Sequence, residues 1–155
     1  MMAAKAGGQA QILVIHGPNL NMLGKREPEV YGRQTLKEID ALLADEAARL
    51  TLSLESFQSN QEGLIVDKIQ QTVGQASGLI INPGAYTHTS IAIRDALLLL
   101  DIPVVEVHLS NTYKREAFRR ESMIADIVTG RIVGLGALGY ILALQAIAER
   151  LQQQR

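Results

Sequence analysis

The chain has 155 residues, a formal net charge of -1 and no cysteine. That length suits one domain of ordinary size and leaves no residues for a second. The lack of cysteine excludes disulfides, thiol nucleophiles and cysteine-bearing zinc sites. Mixed charges near balance give none of the footprint of a nucleic-acid or membrane-surface protein, so the expected partner is a small molecule.

Residues 1–10 contain Ala, Gly, Gln and one lysine but no apolar core. They are read as a loose or expression-derived end rather than a signal peptide, with residues 11–155 forming a single catalytic domain. No apolar run approaches the roughly 20 residues of a membrane helix, and a cytoplasmic location is expected. From there, short β-branched runs alternate with helical stripes, the pattern of a parallel sheet covered by helices on both faces. Gln11 to Ile15 is the first expected strand. Leu36, Ile39, Leu42, Leu43, Ala47 and Leu50 then recur at helical spacing behind a Thr35/Glu38 capping box, predicting a helix over Thr35 to Leu50. Thr51 to Gln58 is the second strand, and Ser59 to Glu62 repeats the capping-box pattern before a helix carrying Leu64, Ile65, Ile69 and Val73. Strands are expected at Gly78 to Asn82, Pro103 to Leu109 and Arg131 to Val133, with helices at Thr89 to Leu100, Glu116 to Ile127 and Ala137 to Leu151. Strands this rich in Val, Ile and Leu are buried on both faces.

His16 to Gln34 breaks the alternation. Long structureless loops in compact domains are uncommon and often functional, so this one is read as an active-site lid. Ligands in open α/β sheets bind beyond the carboxyl ends of the strands, and the polar clusters of this chain fall there.

The first cluster is His16-Gly17-Pro18-Asn19-Leu20-Asn21, followed by Gly24, Arg26, Glu27 and Tyr31-Gly32. By itself it reads equally as turn punctuation. The second runs from Asn82-Pro83-Gly84-Ala85 through Thr87-His88-Thr89-Ser90 to Arg94-Asp95. Free N–H groups at a helix start beside hydroxyls suit an oxygen-rich ligand, although capping by Thr89 or Ser90 explains part of the pattern. The third is Glu106-Val107-His108-Leu109-Ser110-Asn111, with Arg115, Arg119 and Arg120 beyond it. Strand alternation puts Glu106 and His108 on one side, an arrangement fit for a general acid or for a satisfied core pair.

Three histidines at strand ends raise the question of zinc, but their spacing matches no local metal motif. Gly134 to Gly139 formally matches G-x-G-x-x-G. No further strand and no ribose-binding acid follow, so these glycines are read as allowing a tight turn and close helix packing.

Together the clusters resemble type II 3-dehydroquinate dehydratase, the shikimate-pathway lyase, from about Ile12 to Ala148. The likeness rests on Gly17-Pro18-Asn19-Leu20-Asn21 with Arg26 and Tyr31-Gly32, and on Gln58-Ser59-Asn60 with Glu62-Gly63. It rests also on Asn82-Pro83-Gly84-Ala85 with Thr87 to Ser90 and Arg94-Asp95, and on Glu106 to Asn111. The resemblance implies a flavodoxin-like α/β fold with a five-stranded parallel sheet. It implies anti elimination of water from 3-dehydroquinate through an enolate, without metal, nucleotide, Schiff base or other cofactor. Tyr31 would be the base, with Arg26 beside it; His108, oriented by Glu106, the acid; and Asn19 the holder of a water at the enolate. Asn82, His88 and Arg119 would bind ring hydroxyls, and Leu109 and Ser110 the carboxylate. Asp95 would reach a neighbouring subunit of a homododecamer built as four trimers.

Elementary electrostatics adds one residue. Ionising an ordinary phenol at neutral pH costs about 4 kcal/mol. One arginine at ~4 Å returns about that much at an effective dielectric near 20, while burial opposes it. Arg115 is therefore expected to assist Arg26 at Tyr31. The competing reading is a flavodoxin-like small-ligand-binding or signalling module, since the fold hosts flavin binders and phospho-acceptor receivers. A receiver wants clustered acids where this chain has His16-Gly17 and Asn82-Pro83, and Pro18-Asn19-Leu20 is a poor flavin phosphate loop.

Overall fold

The computed structural model describes residues 8–25 and 27–154. Arg26, given a lid role above, and most of the 1–10 segment lie outside the described residues. Five parallel strands form one sheet in the order β2-β1-β3-β4-β5: β1 Gln11–His16, β2 Ser53–Gln58, β3 Gly78–Asn82, β4 Val104–His108 and β5 Gly130–Val133. This is the flavodoxin-like order, in which the chain leaves β1 for one edge and returns to its other side at β3. The carboxyl ends of β1 and β3 diverge at that reversal and open a crevice.

The helices are α1 Pro28–Tyr31, α2 Leu36–Arg49, α3 Glu62–Thr72, α4 Ile91–Leu97 and α5 Leu138–Gln153. One face of the sheet packs Ile12, Val14, Ile80, Val105 and Val107 against α2 and α5. The other packs Leu13, Ile15, Leu79, Ile81 and Val104 against α3 and α4. Successive residues of each central strand thus serve opposite cores, which is why β3 is buried along its whole length. No helix among the described residues is long and apolar enough to cross a membrane.

The expected Thr35/Glu38 capping box is present: Thr35 Oγ1 accepts from the Glu38 amide at 3.2 Å and Glu38 accepts from the Thr35 amide at 2.7 Å. The second expected box is not. Gln61 is the N-cap of α3, and Ser59 Oγ accepts from the Gln61 amide at 3.0 Å instead, shaping the turn before the helix. The larger difference is at Glu116 to Ile127, expected as a helix and found as one 3-10 turn at Ala117–Arg119 followed by irregular chain. Tertiary bonds take the groups a helix would have used. The Met123 amide donates to the Thr87 carbonyl at 2.7 Å, the Glu121 carbonyl accepts from His88, and the Ser122 hydroxyl turns onto Glu106.

The lid is also more ordered than its composition suggests. Its first part is pinned, because Leu20 in a 3-10 turn and Leu23 after it are buried in the α2/α5 core. Only its later part, around α1, has no buried residue.

Candidate active site

A cavity of about 110 Å³ opens at the carboxyl ends of β1, β3 and β4. A water needs roughly 10–15 Å³ by such a measure, so the space suits a small molecule. Of the residues singled out in the sequence, Asn19, Tyr31, Asn82, His88, His108, Leu109, Ser110, Arg115 and Arg119 line it. Glu106 stands one layer behind. Asp95 is exposed on α4 and does not line this cavity.

The β1 side is held by close backbone approach. A Cβ on Gly17 would lie 2.4 Å from the Pro83 carbonyl, and the Gly17 amide donates to the Asn82 carbonyl at 2.7 Å, so only glycine lets the two loops meet. Asn19 follows in the left-handed region at φ 68°, which asparagine tolerates better than most residues. Its amide donates to Asn60 Oδ1 at 3.0 Å, and Gln58 Nε2 donates to both Asn60 Oδ1 at 3.1 Å and the Gly17 carbonyl at 3.2 Å. The Gln58-Ser59-Asn60 segment is therefore the buttress of the Asn19 turn.

At the end of β4 the i, i+2 spacing brings Glu106 and His108 together, with His108 Nε2 2.7 Å from Glu106 Oε1. Glu106 is 0% exposed and takes further hydrogen bonds from the Thr87 hydroxyl, from Ser122 Oγ at 3.0 Å and from Arg131 Nε at 2.7 Å. Burial opposes its ionisation, but the bonds from His108 and Thr87 and the charge of Arg131 outweigh burial and bring its pKa down to about 2. Since this carboxylate only accepts, the His108 Nε2 carries hydrogen and Nδ1 is the other ring nitrogen left for the cavity. Sequence reading missed Arg131, Thr87 and Ser122 as partners of Glu106. An arginine on β5 paired in register with Glu106 is the signal that strand order, once known, makes readable.

The segment before α2 contributes Tyr31 to the lining, and its hydroxyl accepts from Arg115 Nη1 at 2.7 Å. The guanidinium carbon sits 5.2 Å from the phenol ring centroid, and the same Nη1 is 3.5 Å from Ser110 Oγ. Between the walls, His88 Nδ1 donates to the Glu121 carbonyl at 2.6 Å, which leaves Nε2 as an acceptor. Burial pushes the His88 pKa below its ordinary value, assisted by nearby His108 and Arg119, so the ring is neutral at pH 7. Arg119 is braced by Glu116 at 2.7 Å.

His16 differs from the other two histidines. It is 0% exposed and points away from the cavity, bonded to Tyr140 and Asp40. Among the described residues no group of three or more His, Cys, Asp or Glu side chains is arranged to hold a metal. The Gly134 to Gly139 stretch does what its context suggested. Gly134 and Gly136 turn at φ 88° and 57°, and a Cβ on Gly139 would lie 3.3 Å from Ile132, so α5 packs closely on the sheet.

A 2-1-3-4-5 parallel sheet with a small cavity of mixed polar and apolar lining at its switch point defines a flavodoxin-like α/β protein. Residues 10–148 match the model of the family described as Dehydroquinase class II. A 3-dehydroquinate dehydratase of Gloeothece citriformis is 56% identical over 145 residues, covering 94% of this chain and 95% of the relative. The crystal structure of the type II dehydroquinase from Propionibacterium acnes superposes with a TM-score of 0.88 at 43% identity, covering 92% of this chain and 98% of that one. A 3-dehydroquinate dehydratase-like protein from Bifidobacterium longum is more distant, with a TM-score of 0.71 and 29% identity over 93% of this chain and 99% of that one. The chain belongs to the class II dehydroquinase family.

Proposed function

We propose that the chain is a dehydratase that converts 3-dehydroquinate to 3-dehydroshikimate and water by anti elimination through an enolate. The observation that carries the reading is the meeting, in one cavity, of a phenol held by a guanidinium and an imidazole backed by a buried carboxylate. The two reacting bonds need such a pair. As the phenolate, Tyr31 takes the C2 proton, which is acidified by the neighbouring ketone, and the electrons pass into the enolate oxygen. Asn19 holds a water against that oxygen. The enolate then expels the C1 hydroxyl, which receives a proton from His108 and leaves as water.

Arg115, bonded to the Tyr31 hydroxyl, and Arg26 assist the base. Glu106 orients His108. The ring hydroxyls go to Asn82, to neutral His88 as acceptor, and to Arg119; the carboxylate goes to Ser110 and the chain at Leu109. The route uses protein groups alone. With it we propose a cytoplasmic homododecamer of four trimers, in which the exposed Asp95 serves a neighbouring subunit's cavity. Light scattering tests the assembly.

The reaction is tested by mixing purified protein with 3-dehydroquinate in EDTA and following near-ultraviolet enone absorbance. The expected result is a rise with the wild type and a rate lower by about 10²–10⁴ with His108→Ala, the span typical of a lost acid. No rise with the wild type overturns the reading.

A further inference from the structure

A second polar chain runs behind the cavity and takes no part in the steps above. Asn82, at the end of β3, accepts from the Gly84 amide through Oδ1 at 3.1 Å, which identifies that end of the carboxamide as oxygen. Its Nδ2 donates to the phenol oxygen of Tyr140 at 3.1 Å. Tyr140, on α5, is 0% exposed, and burial raises its pKa well above the ordinary phenol value, so it keeps its hydrogen. That hydrogen has an acceptor in His16 Nδ1, 3.0 Å away. On the far side of the ring, His16 Nε2 lies 2.9 Å from Asp40 Oδ1, which also accepts from Ser56 Oγ at 2.8 Å. Half-burial opposes ionisation of Asp40, yet the bonds from His16 and Ser56 prevail and hold its carboxyl below the usual value.

Every donor in this chain has one acceptor only if His16 is neutral with its hydrogen on Nε2. A hydrogen on Nδ1 would aim a second donor at Tyr140 and leave the buried phenol O–H without an acceptor among the described residues. The direction of hydrogen bonding therefore runs one way, from Asn82 through Tyr140 and His16 to Asp40. Asn82 has spent its oxygen on Gly84 and one hydrogen on Tyr140, and what remains for the cavity is the second Nδ2 hydrogen.

We propose that Asp40, His16 and Tyr140 are positioning residues that lock the Asn82 carboxamide with one N–H facing the cavity, so that this corner of the site selects an oxygen acceptor on the substrate. The kinetic consequences rest on the dehydratase reading; the tautomer does not. Asp40, half-buried on α2, does not line the cavity, so a carboxylate outside the site sets the polarity of a binding group through two intervening side chains.

Two readouts test the chain. Imidazole ¹⁵N spectra of the unliganded protein, with His16 assigned through His16→Gln, are expected to report the neutral Nε2–H tautomer at pH 7. A doubly protonated ring or the Nδ1–H tautomer overturns the proposal whatever the protein catalyses. Tyr140→Phe removes the phenol and keeps the ring. It is expected to lower kcat/KM for 3-dehydroquinate about 10-fold, carried by KM, as for a lost partner in a buried hydrogen bond. In an Asn82→Ala background the same change should cost less than about 2-fold, because nothing remains to be positioned. Equal losses in both backgrounds overturn the proposal. Should Tyr140→Phe not fold, Asp40→Ala reads the chain from its half-exposed end: a mixture of His16 tautomers with a raised KM supports it, and an unchanged tautomer and KM overturn it. A wild type inactive on 3-dehydroquinate sinks the functional reading alone, because the His16 tautomer still decides the chain.

Discussion

The two walls of the cavity are held in different ways. On the β4 wall, Glu106 is fully buried and bonded to His108, Thr87, Ser122 and Arg131, so the imidazole has little freedom to turn. On the lid wall, Tyr31 ends a four-residue helix with no buried residue, and its hydroxyl meets Arg115, which comes from another loop. In the proposed reaction the general acid needs a fixed direction, which a strand end in the core supplies. A base that must meet substrate after entry has to be delivered by something that can open, and an exposed short helix supplies that. One wall is built for precision and the other for access.

The comparison breaks first at Tyr31. Tyr31→Phe is expected to lower kcat by about 10³-fold, within the range of a lost general base, while leaving the thermal midpoint unchanged, because the hydroxyl belongs to a short helix with no buried residue. A large loss of stability would mean that this wall is structural too.

Glu106→Gln should do the reverse and lower stability by about 3 kcal/mol in urea unfolding, because Arg131 loses its buried charge partner. Its pH dependence has a definite sign. A carboxyl lowered from 4.5 to about 2 in the folded state adds stability that is complete above the unfolded value and disappears as pH falls towards 2. The wild type should therefore lose more stability than Glu106→Gln between those limits.

Arg115→Ala is expected to lower kcat by about 10-fold or more, since hydrogen bonds to charged groups are worth about 1.5–3 kcal/mol. An unchanged kcat would remove Arg115 from the support of the base. The smallest effect concerns access. Protease cleavage between Leu20 and Gln34 should slow several-fold with a substrate analogue present, and unchanged cleavage would mean that the lid does not close.

Those same walls explain what could be read from the sequence. The strands and the α2 capping box were legible because β-branched runs and Thr35/Glu38 are local signals. The Glu106–His108 pair was legible because a strand alternates with period 2. The Glu116 to Ile127 segment was not, because its backbone answers to Thr87 and His88 and its Ser122 hydroxyl to Glu106, all distant in the chain. The placement of His16 was hidden for the same reason. It stands at a strand end beside Gly17 and looks like a site residue, but Tyr140 and Asp40, far apart in sequence, draw it inward. The Arg115–Tyr31 contact was expected from an energy balance rather than a pattern.

The central claim is that base and acid stand on opposite walls and act on opposite faces of the ring. It is tested most directly with 3-dehydroquinate carrying deuterium at the C2 position trans to the C1 hydroxyl, followed by mass spectrometry of the product. Anti elimination predicts that the deuterium is lost and the product is one mass unit lighter than the labelled alternative. Retention of the label would mean that the proton leaves from the same face as the hydroxyl, and the assignment of Tyr31 and His108 to opposite faces would be contradicted.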